Sequence, residues 1–378
     1  MLVVDGLFGT GLSRPLTGGF AAVVQYINAS PATVVSIDVP SGLMTEDNGG
    51  NNMDNVIRAD YTFTFQHPKL AFFFPEHEQC VGDWQVIDIG LADPDSADDT
   101  TVFTTPYEMT EEGDVRRMLK PRPVFAHKGM MGHAALVAGQ QGMAGAAVLA
   151  SRACMRSGVG KLTVFTPEVN RAILQSAVPE AIVNGEPTPN FAYDALAMGP
   201  GIGTSENAEQ EMSNWLNNMP LPLVLDADAL NLLATHPQWL PQLPENTILT
   251  PHRGELERLV GPHKNSYDLL QKTLLFAHQN KVIVVMKGAF TAVVTPDGRA
   301  HFNTTGNAGM ATAGAGDVLT GIIVALLAQG YTPEEAACLG VYVHGLAGDY
   351  AADRLGQISL IASDIIDSLP LAFKELTD

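Results

Sequence analysis

Near the C-terminal end the chain reads Asn307-Ala308-Gly309-Met310-Ala311-Thr312-Ala313-Gly314-Ala315-Gly316-Asp317, and an apolar run, residues 318–329, follows at once. A loop of such small residues lets a ligand approach the backbone closely. The helix start behind it offers N–H groups and a positive dipole end, which suit an anion. Asp317 sits at the junction, where a base would work beside a bound phosphate. Glycine turns before helices are common, and Asp is frequent in first turns for dipole reasons alone. The small residues packed before Asp317, with Asn307 and Thr312 upstream, favour nucleotide-dependent chemistry on a hydroxyl.

Outward from that loop the pattern is α/β. Segments 134–138, 161–165, 195–198, 223–225, 247–249 and 282–286 read as strands, and 145–157 reads as a helix. Segments 293–295 and 301–303 flank the turn Pro296-Asp297-Gly298 and form a predicted hairpin. In the first part, 2–4, 33–37, 61–65 and 84–89 read as strands. Segment 20–29 has helical periodicity, with Phe20, Val23, Val24 and Ile27 on one face. Strands separated by helices imply parallel sheets. The 378 residues favour two domains. The polar, acidic stretch 93–105 is the expected linker between domains at 1–105 and 106–378.

The 41 acidic and 21 basic residues give a net charge of −20. That argues against nucleic acid or an anionic membrane as partner, while leaving backbone N–H groups free to bind anionic ligands. Three cysteines without metal-like or disulfide-like spacing fit a reduced compartment. Neither a secretory signal nor a membrane-spanning run is visible, so a soluble, cytoplasmic protein is expected. The chain opens inside a strand, Leu2-Val3-Val4, with no lead-in. Either the domain starts there or upstream βα units are absent.

Several strand ends carry polar or glycine-rich loops, the edge at which open α/β sheets gather ligands. Lys287-Gly288-Ala289-Phe290-Thr291 offers a cation for phosphate, or a merely solvated lysine. Thr250-Pro251-His252-Arg253-Gly254-Glu255 reads as a helix start capped by Thr250, with His252 a candidate substrate contact. Asp226-Ala227-Asp228-Ala229-Leu230-Asn231 suits either a hydrated Mg²⁺ ion or simple capping. Gly142–147 and Gly199-Pro200-Gly201-Ile202-Gly203 suit close packing or anion approach. In the first part, Gly9-Thr10-Gly11-Leu12-Ser13-Arg14-Pro15 and Asp38-Val39-Pro40-Ser41-Gly42 are loops at strand ends. Asp5 and Asp38 on one sheet edge suit a cation or a sugar hydroxyl.

Taken in order, these motifs together with His127-Lys128-Gly129 resemble the bifunctional NAD(P)H-hydrate repair enzymes, in which an epimerase domain is fused to an ADP-dependent dehydratase. The resemblance covers nearly all of 110–370 and implies a ribokinase-like fold there, preceded by a partial Rossmann-like epimerase domain. It implies that Lys287, Gly288, Ala289, Phe290, Thr291, Gly314 and Gly316 contact ADP or ATP. Ala147, Gly203, His252 and Asp317 would contact the hydrated nicotinamide nucleotide, with Asp317 as general base. In the first part, Gly9–Pro15 and Asp38 would hold the same substrate, and Asp5 and Ser41 would ligate potassium. The family carries a longer epimerase segment before this point, including a further potassium ligand, so an impaired epimerase is expected. Arg253 stands where the family usually has Pro. The expected partners are NAD(P)H hydrate, ADP with Mg²⁺, and a second copy of the chain in a homo-oligomer. The runner-up reading is a ribokinase-type kinase of a small vitamin-precursor alcohol.

Overall fold

The computed structural model describes residues 1–91, 105–185, 193–218 and 220–377, so most of the expected linker lies outside the described residues. It divides into two compact units, Met1–Tyr107 with His263–Lys272, and Glu108–Pro262 with Thr273–Asp378. The small inclusion from the later sequence has no signature in composition or periodicity.

In the first unit, β1 (Leu2–Asp5), β2 (Thr33–Ile37), β3 (Tyr61–Phe65) and β4 (Asp83–Ile87) form a parallel sheet in sequence order. The short helix α2 (Glu78–Val81) precedes β4. The crossover helix α1 (Gly18–Asn28) does not bury the face expected for it. Ala21 and Val24 are buried, whereas Phe20 and Val23 are 54% and 46% exposed. The sheet takes up only the narrow Ala21/Val24 stripe, and Phe20 instead meets the Phe8 ring edge-on at 4.9 Å.

The second unit holds β5 (Tyr107–Thr110, its first residue counted with the first unit), α3 (Glu112–Met118), β6 (His133–Val137), α4 (Ala144–Arg156), β7 (Lys161–Phe165), α5 (Arg171–Ala177) and β8 (Ile182–Asn184). Then come β9 (Ala195–Met198), α6 (Glu206–Asn218), β10 (Leu223–Leu225), α7 (Asp228–Thr235), β11 (Ile248–Leu249), α8 (Arg253–Val260) and α9 (Ser266–Asn280), whose start belongs to the first unit. The chain closes with β12 (Ile283–Met286), β13 (Ala292–Val294), β14 (Ala300–Asn303), α10 (Ala315–Ala328), α11 (Pro333–Leu355) and α12 (Ala362–Thr377). The strands make one sheet in the order β5-β14-β13-β12-β11-β10-β9-β6-β7-β8. From β8 to β12 neighbours are parallel, and the β13–β14 hairpin is antiparallel, as its turn chemistry implies.

Helix α10 anchors this unit. Every residue from Val318 to Ala328 is buried, which suits a helix apolar on all sides. Gly321 lets it come close to α4, because a Cβ there would lie 2.1 Å from the Ala150 carbonyl oxygen. The helix starts three residues earlier than the apolar run alone indicates.

Candidate active site

The parallel strands all point their C-terminal ends to one edge, and backbone hydrogen bonds tie the loops there together. Asp226 N donates to Met198 O at 3.1 Å, Thr250 N to Leu225 O at 3.0 Å, and Lys287 N to Pro251 O at 3.1 Å. Gly139 N donates to Pro200 O at 2.8 Å. The Gly199–203 loop fits only because of its glycines. Gly199 has φ +135°, and a Cβ there would sit 1.8 Å from the Asp226 carbonyl oxygen.

Asp226 ends β10 and is 1% exposed. Its carboxylate accepts from Lys287 Nζ at 2.9 Å and from Thr320 Oγ1 at 2.7 Å. Both oxygens are therefore engaged, and the buried charge has a cation and a hydroxyl to offset its desolvation. Neither reading of Asp226 from sequence, as an open magnesium ligand or as a helix cap, describes this role. The next residue, Ala227, sits at φ +49°, a backbone conformation costly for a residue with a side chain. That turn carries Asp228 outward, where its Oδ2 accepts from Gly203 N at 2.8 Å. Asn231 is occupied elsewhere, accepting from Arg258 Nη1 at 2.8 Å.

Facing this edge is the start of α10. Gly314 is its N-cap in the left-handed region, φ +89°. The first-turn N–H groups of such a helix have no intrahelical acceptor and present an anion cradle. Asp317 lies in that first turn, one helical turn before Thr320. Burial pushes its carboxyl up to about 6, and Asp226 and then Asp228 add to the effect while Lys287 opposes it. A carboxylate held there is a competent base near neutral pH. At Gly316 a Cβ would lie 3.3 Å from Lys287 Nζ, so the lysine reaches the cradle itself. Beyond it, Thr291 Oγ1 donates to Gly288 O at 3.1 Å and closes the turn that exposes Gly288 and Ala289.

His252, not Thr250, caps α8. Its Nδ1 accepts from Gly254 N at 3.0 Å and Glu255 N at 3.3 Å, and Glu255 Oε2 accepts from His252 N at 2.9 Å. Thr250 is fully buried one strand end away. The imidazole is 58% exposed with its Nε2 3.3 Å from Glu255 Oε1. Burial pushes the Glu255 carboxyl up, against the hydrogen bond from the His252 backbone and the charge of Lys287. Ala147, expected to contact substrate, is fully buried in the first turns of α4 beneath Gly139. The Asn307 loop is fixed from α11, where Asp349 accepts from Gly306 N at 2.8 Å and Asn307 Nδ2 at 2.9 Å.

In the first unit the two expected potassium ligands are neighbours. Asp5 is 2% exposed, and its Oδ2 accepts from Ser36 Oγ at 2.9 Å and Ser41 N at 2.8 Å. Ser41 Oγ accepts from Phe8 N at 2.9 Å and donates to Phe8 O at 3.2 Å. Asp38, at φ +67°, pairs with Lys69 Nζ at 3.0 Å. The Gly9 backbone passes close to Asp38. From Gly9 to Arg14 the loop is exposed apart from Leu12, which packs on the core beside Phe8. No cluster of three or more His, Cys, Asp or Glu side chains with metal-binding geometry occurs among the described residues.

Comparison with known proteins identifies the family. The NAD(P)H-hydrate dehydratase family model matches residues 134–371, and the model for the YjeF-related protein N-terminus matches residues 1–71. The bifunctional NAD(P)H-hydrate repair enzyme Nnr of Moorella thermoacetica is 37% identical, over 100% of this chain and 73% of that protein. The Escherichia coli enzyme of the same name is 34% identical over 100% and 72%. The ADP/ATP-dependent NAD(P)H-hydrate dehydratase of Bacillus subtilis, crystallised with ATP and Mg²⁺, superposes with a TM-score of 0.63 at 33% identity. It covers 71% of this chain and 98% of its own. A ribokinase-like superfamily protein of Enterococcus faecalis gives 0.64 at 27% identity, over 74% and 99%. The chain thus belongs to the bifunctional NAD(P)H-hydrate repair enzyme family, and its second unit has the ribokinase-like fold.

Proposed function

We propose that the second unit dehydrates the S form of NAD(P)H hydrate at the expense of ADP or ATP, with Asp317 as general base. The observation that carries this reading is the Asp317 carboxyl, raised to about 6 in the first turn of an anion-binding helix and beside the Asp226–Lys287 pair. Asp317 takes the proton of the hydroxyl at C6 of the reduced nicotinamide ring. The hydroxyl oxygen bonds to the terminal phosphorus of the nucleotide, and the bridging P–O bond breaks to release AMP from ADP. N–H groups of Gly314, Gly316 and Asp317 and the Lys287 ammonium stabilise the charge on the transferring group. The ring nitrogen's lone pair then expels orthophosphate, and loss of a proton from the adjacent carbon restores NAD(P)H. A kinase would stop at the phosphoester.

Lys287–Thr291, Gly314 and Gly316 form the nucleotide side of the proposed site, and Gly203 and His252 the side of the hydrated nucleotide. Ala147 shapes that side from beneath. Magnesium, when bound, would neutralise phosphate charge. Asp228 has one oxygen committed to Gly203 N, and its other would hold the ion together with water and phosphate oxygens. The proposal extends to a dehydratase portion at 106–378, an epimerase-like portion at 1–105, a cytoplasmic setting and a homo-oligomer. In the epimerase-like portion Gly9–Pro15 and Asp38 would contact substrate, while Asp5 and Ser41 would supply part of a potassium shell. Conversion of the R hydrate without added epimerase measures whether that portion is active.

The test of the base is Asp317→Asn. A drop of about 10²–10⁴-fold in ADP-dependent dehydration is expected. A near wild-type rate would overturn the assignment.

A further inference from the structure

Gln140 stands just past the C-terminal end of β6, outside every motif that marks the site. Its backbone is held at both polar atoms. Gln140 N donates to Gly201 O at 2.6 Å, and its carbonyl accepts from Met143 N at 2.9 Å and from Asn170 Nδ2 at 3.3 Å. Gly142, at φ +89°, makes the tight turn that brings Met143 back. Asn170 is 2% exposed, and its amide nitrogen also reaches Gly139 O at 3.3 Å and Thr166 Oγ1 at 2.9 Å. So firmly held a backbone carries an exposed side chain, whose amide has no hydrogen-bond partner among the described residues. That amide lies against Gly203, the expected substrate contact. A Cβ at Gly203 would sit 2.6 Å from Gln140 Oε1 and 2.9 Å from Nε2, so glycine is what leaves the amide its place.

The position fits one end of the proposed substrate. In the sheet, β6 is two strands from β10, whose end carries Asp226 beside the Asp317 turn. Neighbouring strands are about 4.8 Å apart, so about 10 Å separates the two strand ends. A reduced nicotinamide ring with a hydroxyl at C6 carries its carboxamide at C3, directly across the ring. With a hydrogen bond at each end, hydroxyl to carboxamide spans about 10–12 Å. Asp317 at the hydroxyl thus leaves the carboxamide at the β6 end. A primary amide needs a donor and an acceptor opposite it, which a glutamine supplies. The other polar side chains on that side do not. Asp228 is an acceptor only, with one oxygen on Gly203 N, and His252 uses its Nδ1 as the α8 cap, which leaves Nε2 to donate.

We propose that Gln140 is the specificity residue for the nicotinamide group: its side-chain amide pairs with the C3 carboxamide of the hydrated ring, donating to the carbonyl and accepting from the amide nitrogen. The inference rests on the dehydratase reading above. The experiment compares the wild type with Gln140→Leu, which keeps bulk and lacks the amide, and with Gln140→Asn, which withdraws the amide by one methylene. Each is assayed with ADP on the S hydrate of NADH and on that of its 3-acetylpyridine analogue, in which a methyl group replaces the amide nitrogen. The ratio of kcat/KM for the two substrates is read for each enzyme, so their intrinsic reactivities cancel when enzymes are compared. The wild-type ratio should exceed that of either variant by about 3–10-fold, the effect of one hydrogen bond. The change should lie in KM for the hydrated nucleotide, with KM for ADP and the unfolding temperature unchanged. Equal ratios in all three enzymes would overturn the proposal even if both variants were slower, because a structural role slows the two substrates alike. A wild type that dehydrates neither substrate with ADP would instead overturn the dehydratase reading, and this proposal with it.

Discussion

Replacing Asp317 with Asn removes a carboxylate that the fold makes costly to ionise, so the variant should lose activity and gain stability together. The folded-state pKa is about 6, against an ordinary 3.8. Between those values the folded protein holds a proton that the unfolded chain has released, so stability falls as pH rises from about 4 to about 6. A difference of about 2 units corresponds to roughly 3 kcal/mol. Above pH 6 the wild type therefore carries about 3 kcal/mol of strain that Asn lacks. Below pH 4 the two should be nearly equally stable. For a unit of this size about 1 kcal/mol moves the unfolding temperature by roughly 2–4 °C, so several degrees separate the proteins at pH 7.5. Thermal or urea unfolding of both at pH 4 and pH 7.5 measures this directly. If the Asn variant gains nothing at pH 7.5 relative to pH 4, Asp317 is solvated and the reasoning fails. The wild-type rate should also climb as pH rises through about 6, as the base ionises, and then level off.

Lys287→Met leaves the buried Asp226 carboxylate with Thr320 as its side-chain partner among the described residues. Removing one member of such a pair costs about 3–5 kcal/mol, readable as a lower urea midpoint, together with a raised KM for ADP. His252→Asn keeps an N-cap acceptor, so its stability should match the wild type while the KM for the hydrated nucleotide rises about tenfold, the effect of one lost hydrogen bond to a ligand. His252→Ala should lose both, with the missing cap costing about 0.5–2 kcal/mol. Equal substrate KM in the Asn variant and the wild type would restrict His252 to capping.

The parts of this structure that were legible are those written in local sequence. Strands β2, β3, β7, β9 and β10 fall on the residues that β-branching and apolar runs mark, and the glycine loop leads directly into a helix start at α10, as its composition indicates. What escaped depends on partners far away in the chain. Asp226 looks like a cap or a metal ligand until Lys287, 61 residues on, and Thr320, 94 residues on, close around it. Thr250 looked the better cap by residue type, yet it is buried just past the end of β11 with its N–H donated to Leu225 O, and His252 stands at the helix start. On α1, the periodicity places Phe20 and Val23 with Val24, but the sheet covers only part of that arc.

The central claim is that the hydroxyl which Asp317 activates is phosphorylated and then expelled. The direct measurement is product stoichiometry with S-NADH hydrate and ADP, following NADH by absorbance and AMP and orthophosphate by separation. One AMP, one orthophosphate and one NADH per turnover is the expected result. Accumulation of a stable phosphorylated hydrate, with no NADH formed, would contradict it and make this site a kinase.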